Sequence, residues 1–147
     1  MSYHHTQSGT TLLASCTAIG VAGGVIAWQI SGQPATLIAM LIVLAGISAV
    51  FHSLTVKVEG RELSWYFGFG FWTYRLGLDE IRSVSVARNR WQNGLGIRKA
   101  PGFTLYNVSG LDAVELKLKS GEIRRIGTDD PKGLAAALNA AMRATQA

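Results

Sequence analysis

Hydrophobic and polar positions divide the chain at Leu54. From Thr10 to Leu54 there is no Lys, Arg, Asp or Glu. The stretch splits into two apolar runs, Thr11–Ile30 and Ala35–Leu54, hinged at Ser31-Gly32-Gln33-Pro34. Each run is roughly 20 residues, or roughly 30 Å as a helix, the thickness of a bilayer's hydrocarbon core. The second run is apolar on every side, and such a helix must lie in a large core or in lipid. The roughly 93 residues outside this region are too few to enclose two of them. The pattern therefore predicts a transmembrane helical hairpin over 10–54, after a short tail, 1–9.

From Leu54 the period changes from helical to alternating. Leu54–Glu59 and Arg61–Phe67 predict a strand pair with a tight tip at Glu59-Gly60. Phe71–Leu76 and Ile81–Arg88 follow, separated by Leu78-Asp79-Glu80. Asn89–Gly102 reads as the longest irregular piece. Phe103–Asn107, Ala113–Lys119 and Glu122–Gly127 complete a set of seven strands, with Ser120-Gly121 as a hairpin tip. Asp130-Pro131 then opens a helix, with Asp as N-cap and Pro in the first turn. Leu134, Leu138 and Met142 give that helix one apolar stripe. The expected fold is α+β: a two-helix hairpin over 11–30 and 35–54, then one β-rich domain over 55–147 capped by a helix.

Charge sharpens this division. All 14 Lys/Arg and all 9 Asp/Glu lie at or after Lys57, so the net charge of +5 belongs to the domain. The turn between the runs carries no charge, while Lys57, Arg61 and Arg75 follow the second run. The positive-inside rule then places both termini and the domain in the cytoplasm, at the inner membrane. A basic domain on a membrane points to anionic lipid or an acidic partner. No nucleic acid is expected, because no basic run or nucleic-acid motif is present. The single cysteine, Cys16, excludes an intrachain disulfide and a cysteine zinc site. No cofactor and no metal are expected.

Several separated segments carry a resemblance. They are Trp65-Tyr66-Phe67-Gly68, Leu78-Asp79-Glu80-Ile81, Gly94-Leu-Gly96-Ile97-Arg98, Leu105–Val114 and Ile126–Pro131. In this order, followed by one helix, they resemble bacterial pleckstrin-homology-like (PH-like) membrane proteins over roughly residues 53–145. The resemblance implies a seven-stranded antiparallel barrel or sandwich with a C-terminal capping helix. It implies binding or scaffolding rather than catalysis. Phosphoinositide-binding PH domains use a basic loop between their first two strands. The first two strands read here are joined by Glu59-Gly60, flanked only by Lys57 and Arg61.

Catalytic signals are thin. No nucleophile has a matching base, and no enzyme activity is expected. His4 and His5 fall in the tail, and His52 at the membrane edge. Asp79-Glu80 and Asp129-Asp130 sit where turns and helix caps want them. Asn107-Val-Ser109 is a formal glycosylation sequon. Gly20 and Gly24 stand at helix-packing spacing, for the second helix first and dimerisation next.

The strongest candidate surface is Arg88-Asn-Arg90-Trp91 through Arg98-Lys99, four of whose side chains surround one Trp with positive charge. Each cation near a membrane surface is worth about 1 kcal/mol. The bland alternative is a solvated loop whose Trp folds back over the core. Strand parity, counted outward from the second helix, puts this loop on the membrane side. It also puts there the tip carrying Phe69, Phe71 and Trp72, and the Lys119-Ser120-Gly121 turn. Two functions follow: a membrane-anchored adaptor that binds a protein partner or its own copies, or a module that contacts anionic headgroups.

Overall fold

The structure, a computed structural model, describes residues 2–146. The two apolar runs form α1 (Thr10–Ser31) and α2 (Pro34–Phe51). Gly32 closes α1 in the left-handed region, φ 67°, with its N–H donating to Trp28 O at 2.8 Å. Glycine reaches that conformation without a Cβ penalty. Pro34 opens α2, where a missing N–H costs nothing. The helices pack as a hairpin, and both are long and apolar enough to cross a membrane. No residue of α2 is buried, and Ile19, Ile26, Ile38, Ile42 and Val43 are exposed.

Gly20 and Gly24 are buried on the face of α1 that meets α2. A Cβ on Gly20 would lie 2.5 Å from Leu44 Cδ1, and one on Gly24 2.9 Å from Leu37 Cδ1. These glycines therefore serve packing within the hairpin. Gly20→Ile is expected to pry the helices apart and cost about 1–3 kcal/mol. The midpoint of denaturant unfolding in micelles checks this.

Among the described residues nine strands replace the seven expected, and they form two sheets rather than a closed barrel. The first sheet runs β1 (Tyr3–Ser8), β2 (Ser53–Glu59), β3 (Glu62–Phe67), β4 (Thr73–Gly77), all antiparallel. The second holds β5 (Ile81–Arg88), β6 (Gly96–Ala100), β7 (Phe103–Asn107), β8 (Asp112–Leu118) and β9 (Ile123–Gly127). Its spatial order is β5-β8-β9-β7-β6, with β7 and β9 parallel. Helix α3 (Pro131–Gln146) closes the core. Asp130 Oδ1 accepts from Gly133 N at 3.0 Å, the cap expected.

One core joins both sheets and α3. Trp65, Leu63, Leu116, Ile126, Leu134 and Leu138 are fully buried in it. Trp65 stacks on Tyr74 at 5.6 Å and meets Tyr106 edge-on at 5.2 Å.

The expected N-terminal tail is a strand. β1 pairs with β2 from Tyr3↔Val58 to Ser8↔Ser53, and Gly9 N donates to His52 O at 2.7 Å. The helical hairpin is therefore an excursion inside a β-hairpin. The second run also ends earlier than expected, at Phe51. Ser53 and Leu54 belong to β2, where Leu54 faces the core and pairs with Phe67.

Side chains fasten β1 along its length. Tyr3 donates to Asp130 Oδ2 at 3.1 Å, His5 pairs with Asp129, and Gln7 donates to Ser109 O at 3.0 Å. Burial, then the hydrogen bond to Asp130, push the Tyr3 phenol far above its ordinary value. A group whose folded value is raised contributes in full below its unfolded value, about 10 for tyrosine. That contribution is lost as pH climbs past it. Tyr3→Phe is therefore expected to shrink the fall in melting temperature between about pH 9 and pH 11.

Candidate functional site

The chain leaves the first sheet for the helices at Ser8 and returns at Ser53, which defines a helix end of the domain. Strand directions then place every loop. β3 returns to the helix end at Phe67, and β5 returns there at Arg88. The turn Asn107–Leu111 is there too, since Leu12 N donates to Val108 O at 3.2 Å and Thr11 Oγ1 meets Ser109 Oγ at 2.7 Å. The Gly60 tip, Leu78–Glu80 and Ala100–Gly102 lie at the opposite, distal end.

The aromatic tip lies at the helix end of the domain. Gly68 N donates to Ser53 O at 2.9 Å. Gly68 has φ 52°, and a Cβ there would run into the main-chain oxygens of Ala49 and Val50 at the end of α2. Only glycine lets the tip sit this close. Phe67 packs on Phe51 at 5.2 Å and Phe69 on His52 at 4.9 Å. Beyond them Phe69, Phe71 and Trp72 are 71%, 73% and 65% exposed. These rings do not fill the core.

The basic loop also lies at the helix end, but it is shorter than expected. Arg88 ends β5, Arg90 precedes a single 3-10 turn at Trp91–Asn93, and Arg98 lies in β6. Trp91 is 79% exposed, so it does not fold back over the core. Arg98 Nε donates to Leu95 O at 3.1 Å, and its side chain shares a cleft with Trp91 and the first half of α1.

Lys99 departs from this group. The segment read as irregular contains β6, which pairs with β7 from Gly96↔Asn107 to Ala100↔Phe103. Successive side chains of a strand point to opposite faces. Lys99 therefore faces away from Arg98, toward the distal end, where it lines a depression with Glu122 and Phe103. Arg124, with a smaller contribution from Lys99, holds the Glu122 carboxyl below its usual range.

The same added strand corrects the parity of everything after it. β6 runs outward and β7 returns, so β8 runs outward again. Leu118 pairs with Ile81, and Lys119 N donates to Glu80 O at 2.9 Å. Lys119-Ser120-Gly121 is therefore distal, not on the helix side. The aromatic tip leans on α2 and the basic loop on α1, so the two groups flank the hairpin rather than merge.

Other candidate residues have structural partners. Glu80 Oε1 accepts from Gly77 N at 3.1 Å. Asn107 of the sequon is buried, donating to Gly110 O at 2.9 Å and accepting from Ser109 N. Among the described residues no three His, Cys, Asp or Glu side chains are grouped as a metal site would need. The sequence gives Asn89 no role and reads Ser109-Gly110-Leu111-Asp112 only as a turn, whereas Asn89 is buried beside the basic loop and the turn lies next to it. No residue pattern marks their place in the site, because that depends on how α1 and β1 dock.

No protein-family model matches the chain, and no curated protein matches it.

Proposed function

We propose that this chain is a non-enzymatic membrane-anchored module, with α1 and α2 as a two-span anchor and the β domain seated on anionic headgroups. The observation that carries this reading is the exposure of Phe69, Phe71, Trp72 and Trp91 at the end of the domain from which the helices leave. Aromatic rings favour the headgroup layer, and Arg88, Arg90 and Arg98 beside them suit its phosphates. The uncharged Ser31–Pro34 turn and the basic domain support a cytoplasmic domain with both termini inside.

A PH-like relationship remains part of the proposal. Two sheets closed by α3 keep the general layout that the resemblance implies, with β1 and β6 added to the seven strands read from the sequence. The helical hairpin then occupies the connection between the first and second strands. That connection is where phosphoinositide-binding PH domains hold headgroups. In this reading the family's lipid loop is replaced by a membrane anchor.

The adaptor reading has its own support. β4 and β6 are sheet edges, and a strand of a partner or of a second copy could add there. Protection from trypsin separates the two. The full-length protein in anionic vesicles should be protected at Arg88, Arg90 and Arg98, with protection falling as salt rises. Cleavage at the same rate in neutral and anionic vesicles would remove lipid seating and leave the adaptor.

A further inference from the structure

A cleft runs between the first half of α1 and the loop joining β5 to β6. Its larger part, about 300 Å³, is lined by Leu12, Cys16, Ile19, Trp91, Leu95 and Arg98, with Ser15 and Gly94. It shares Trp91, Gly94 and Leu95 with a second part of about 210 Å³. There Thr11, Asn89, Arg90 and Leu111 contribute. From Thr11 to Ile19 the helix rises about 12 Å, close to the depth of one leaflet's hydrocarbon. Both parts are walled mainly by apolar side chains, and each carries one cation, Arg98 in the larger and Arg90 in the smaller. No carboxylate lines either part.

Asn89 adds an independent sign of a ligand. It is 4% exposed, and its Oδ1 accepts from Arg125 Nη1 at 3.3 Å, which orients the amide. Among the described residues its Nδ2 has no partner. A buried donor left unpaired is costly, and an acceptor supplied from outside the chain would satisfy it.

We infer that this cleft holds one anionic phospholipid. An acyl chain lies against Leu12, Cys16 and Ile19, under Trp91. The phosphate lies by Asn89 and Arg90, with Arg98 at the rim. The inference rests on the proposed membrane seating but goes further. Seating requires only loose contact with many lipids, whereas the cleft selects one molecule by charge and chain together.

The test is native mass spectrometry of the delipidated full-length protein. Three probes are compared: phosphatidylglycerol, phosphatidylcholine with the same chains, and glycerol phosphate. The expected result is one retained phosphatidylglycerol, preferred about tenfold over phosphatidylcholine, with glycerol phosphate weaker still. Cys16→Phe fills the larger part and Arg90→Glu reverses the charge of the smaller one. Each should reduce retention about tenfold, while Lys132→Glu on α3 should not. Ile19→Trp, at an exposed position, blocks the same larger part should Cys16→Phe fail to fold.

Equal retention of the two phospholipids would overturn the inference, as would retention indifferent to the cleft variants. Glycerol phosphate binding as tightly as phosphatidylglycerol would overturn it too, by showing an anion site without a chain site. Membrane seating would survive each of these results, because it is read separately from the depth of the loops.

Discussion

Replacing residues 10–51 with Asn-Gly is expected to give a folded, water-soluble domain. A chain that begins at Ser53 is not. The pairing of β1 with β2 explains the difference. Gly9 and His52 already face each other across the ladder, Gly9 N donating to His52 O. Asn-Gly is the preferred two-residue connection for such a pair. The replacement keeps β1, its partners Asp129, Asp130 and Ser109, and the core cluster shared by both sheets and α3, losing only Leu12 and Phe51 from its margin.

A chain starting at Ser53 instead leaves β2 as an open edge. It loses the Tyr3 and Gln7 hydrogen bonds and the packing of Tyr3 on the core. The expected cost is at least about 3 kcal/mol, or on the order of 10–20 °C in melting temperature for a domain of this size. An unpaired β2 also invites association with other chains. Thermal melts and sedimentation of the two proteins check both points. A fragment from Ser53 as stable and monomeric as the Asn-Gly protein would show that β1 is dispensable.

Gly68→Val is expected to destabilise the full-length protein by about 2–4 kcal/mol. Two costs add. Gly68 has φ 52°, where a β-branched side chain is strained. Its Cβ would also press on the main-chain oxygens of Ala49 and Val50, which cannot swing aside as a side chain can. The tip must lift from α2, and Phe69 then loses its contact with His52. Gly60→Val makes a useful contrast. Gly60 has φ 58°, but nothing lies within 4 Å of where its Cβ would stand, so only the strain should remain. Comparable losses at the two sites, measured by denaturant unfolding, would contradict close docking of the tip.

The helices, β2 to β5 and the capped α3 were legible because their apolar spacing is strong and their ends carry Gly, Pro or Asp. β1 was not. Tyr-His-His-Thr-Gln-Ser has no apolar alternation, and it becomes a strand because the edge of β2 and the acids Asp129 and Asp130 receive it. β6 was hidden for a related reason. Gly96-Ile-Arg-Lys-Ala lies between Gly94 and Pro101-Gly102, which read as loop, and its partner β7 supplies the register.

Missing β6 had a definite consequence. The aromatic tip and Arg88 to Trp91, which precede β6, lie at the end of the domain from which the helices leave. Lys119-Ser120-Gly121, which follows β6 and which parity counted from α2 puts at the same end, is distal instead. The same omission grouped Lys99 with Arg98, although adjacent positions of a strand face opposite ways. Asn89 and its cleft could not be read at all, because α1, β5 and the β5–β6 loop meet only through the fold.

The most direct measurement is the depth of four positions in a bilayer. Cysteines introduced singly by Trp72→Cys, Trp91→Cys, Gly60→Cys and Ser120→Cys, in a Cys16→Ser background, would carry spin labels on the full-length protein in anionic vesicles. Accessibility to oxygen and to a water-soluble relaxer reports depth. Labels at 72 and 91 should lie in the headgroup layer, and labels at 60 and 120 in water. All four labels equally in water would contradict a domain seated by its helix end on the membrane.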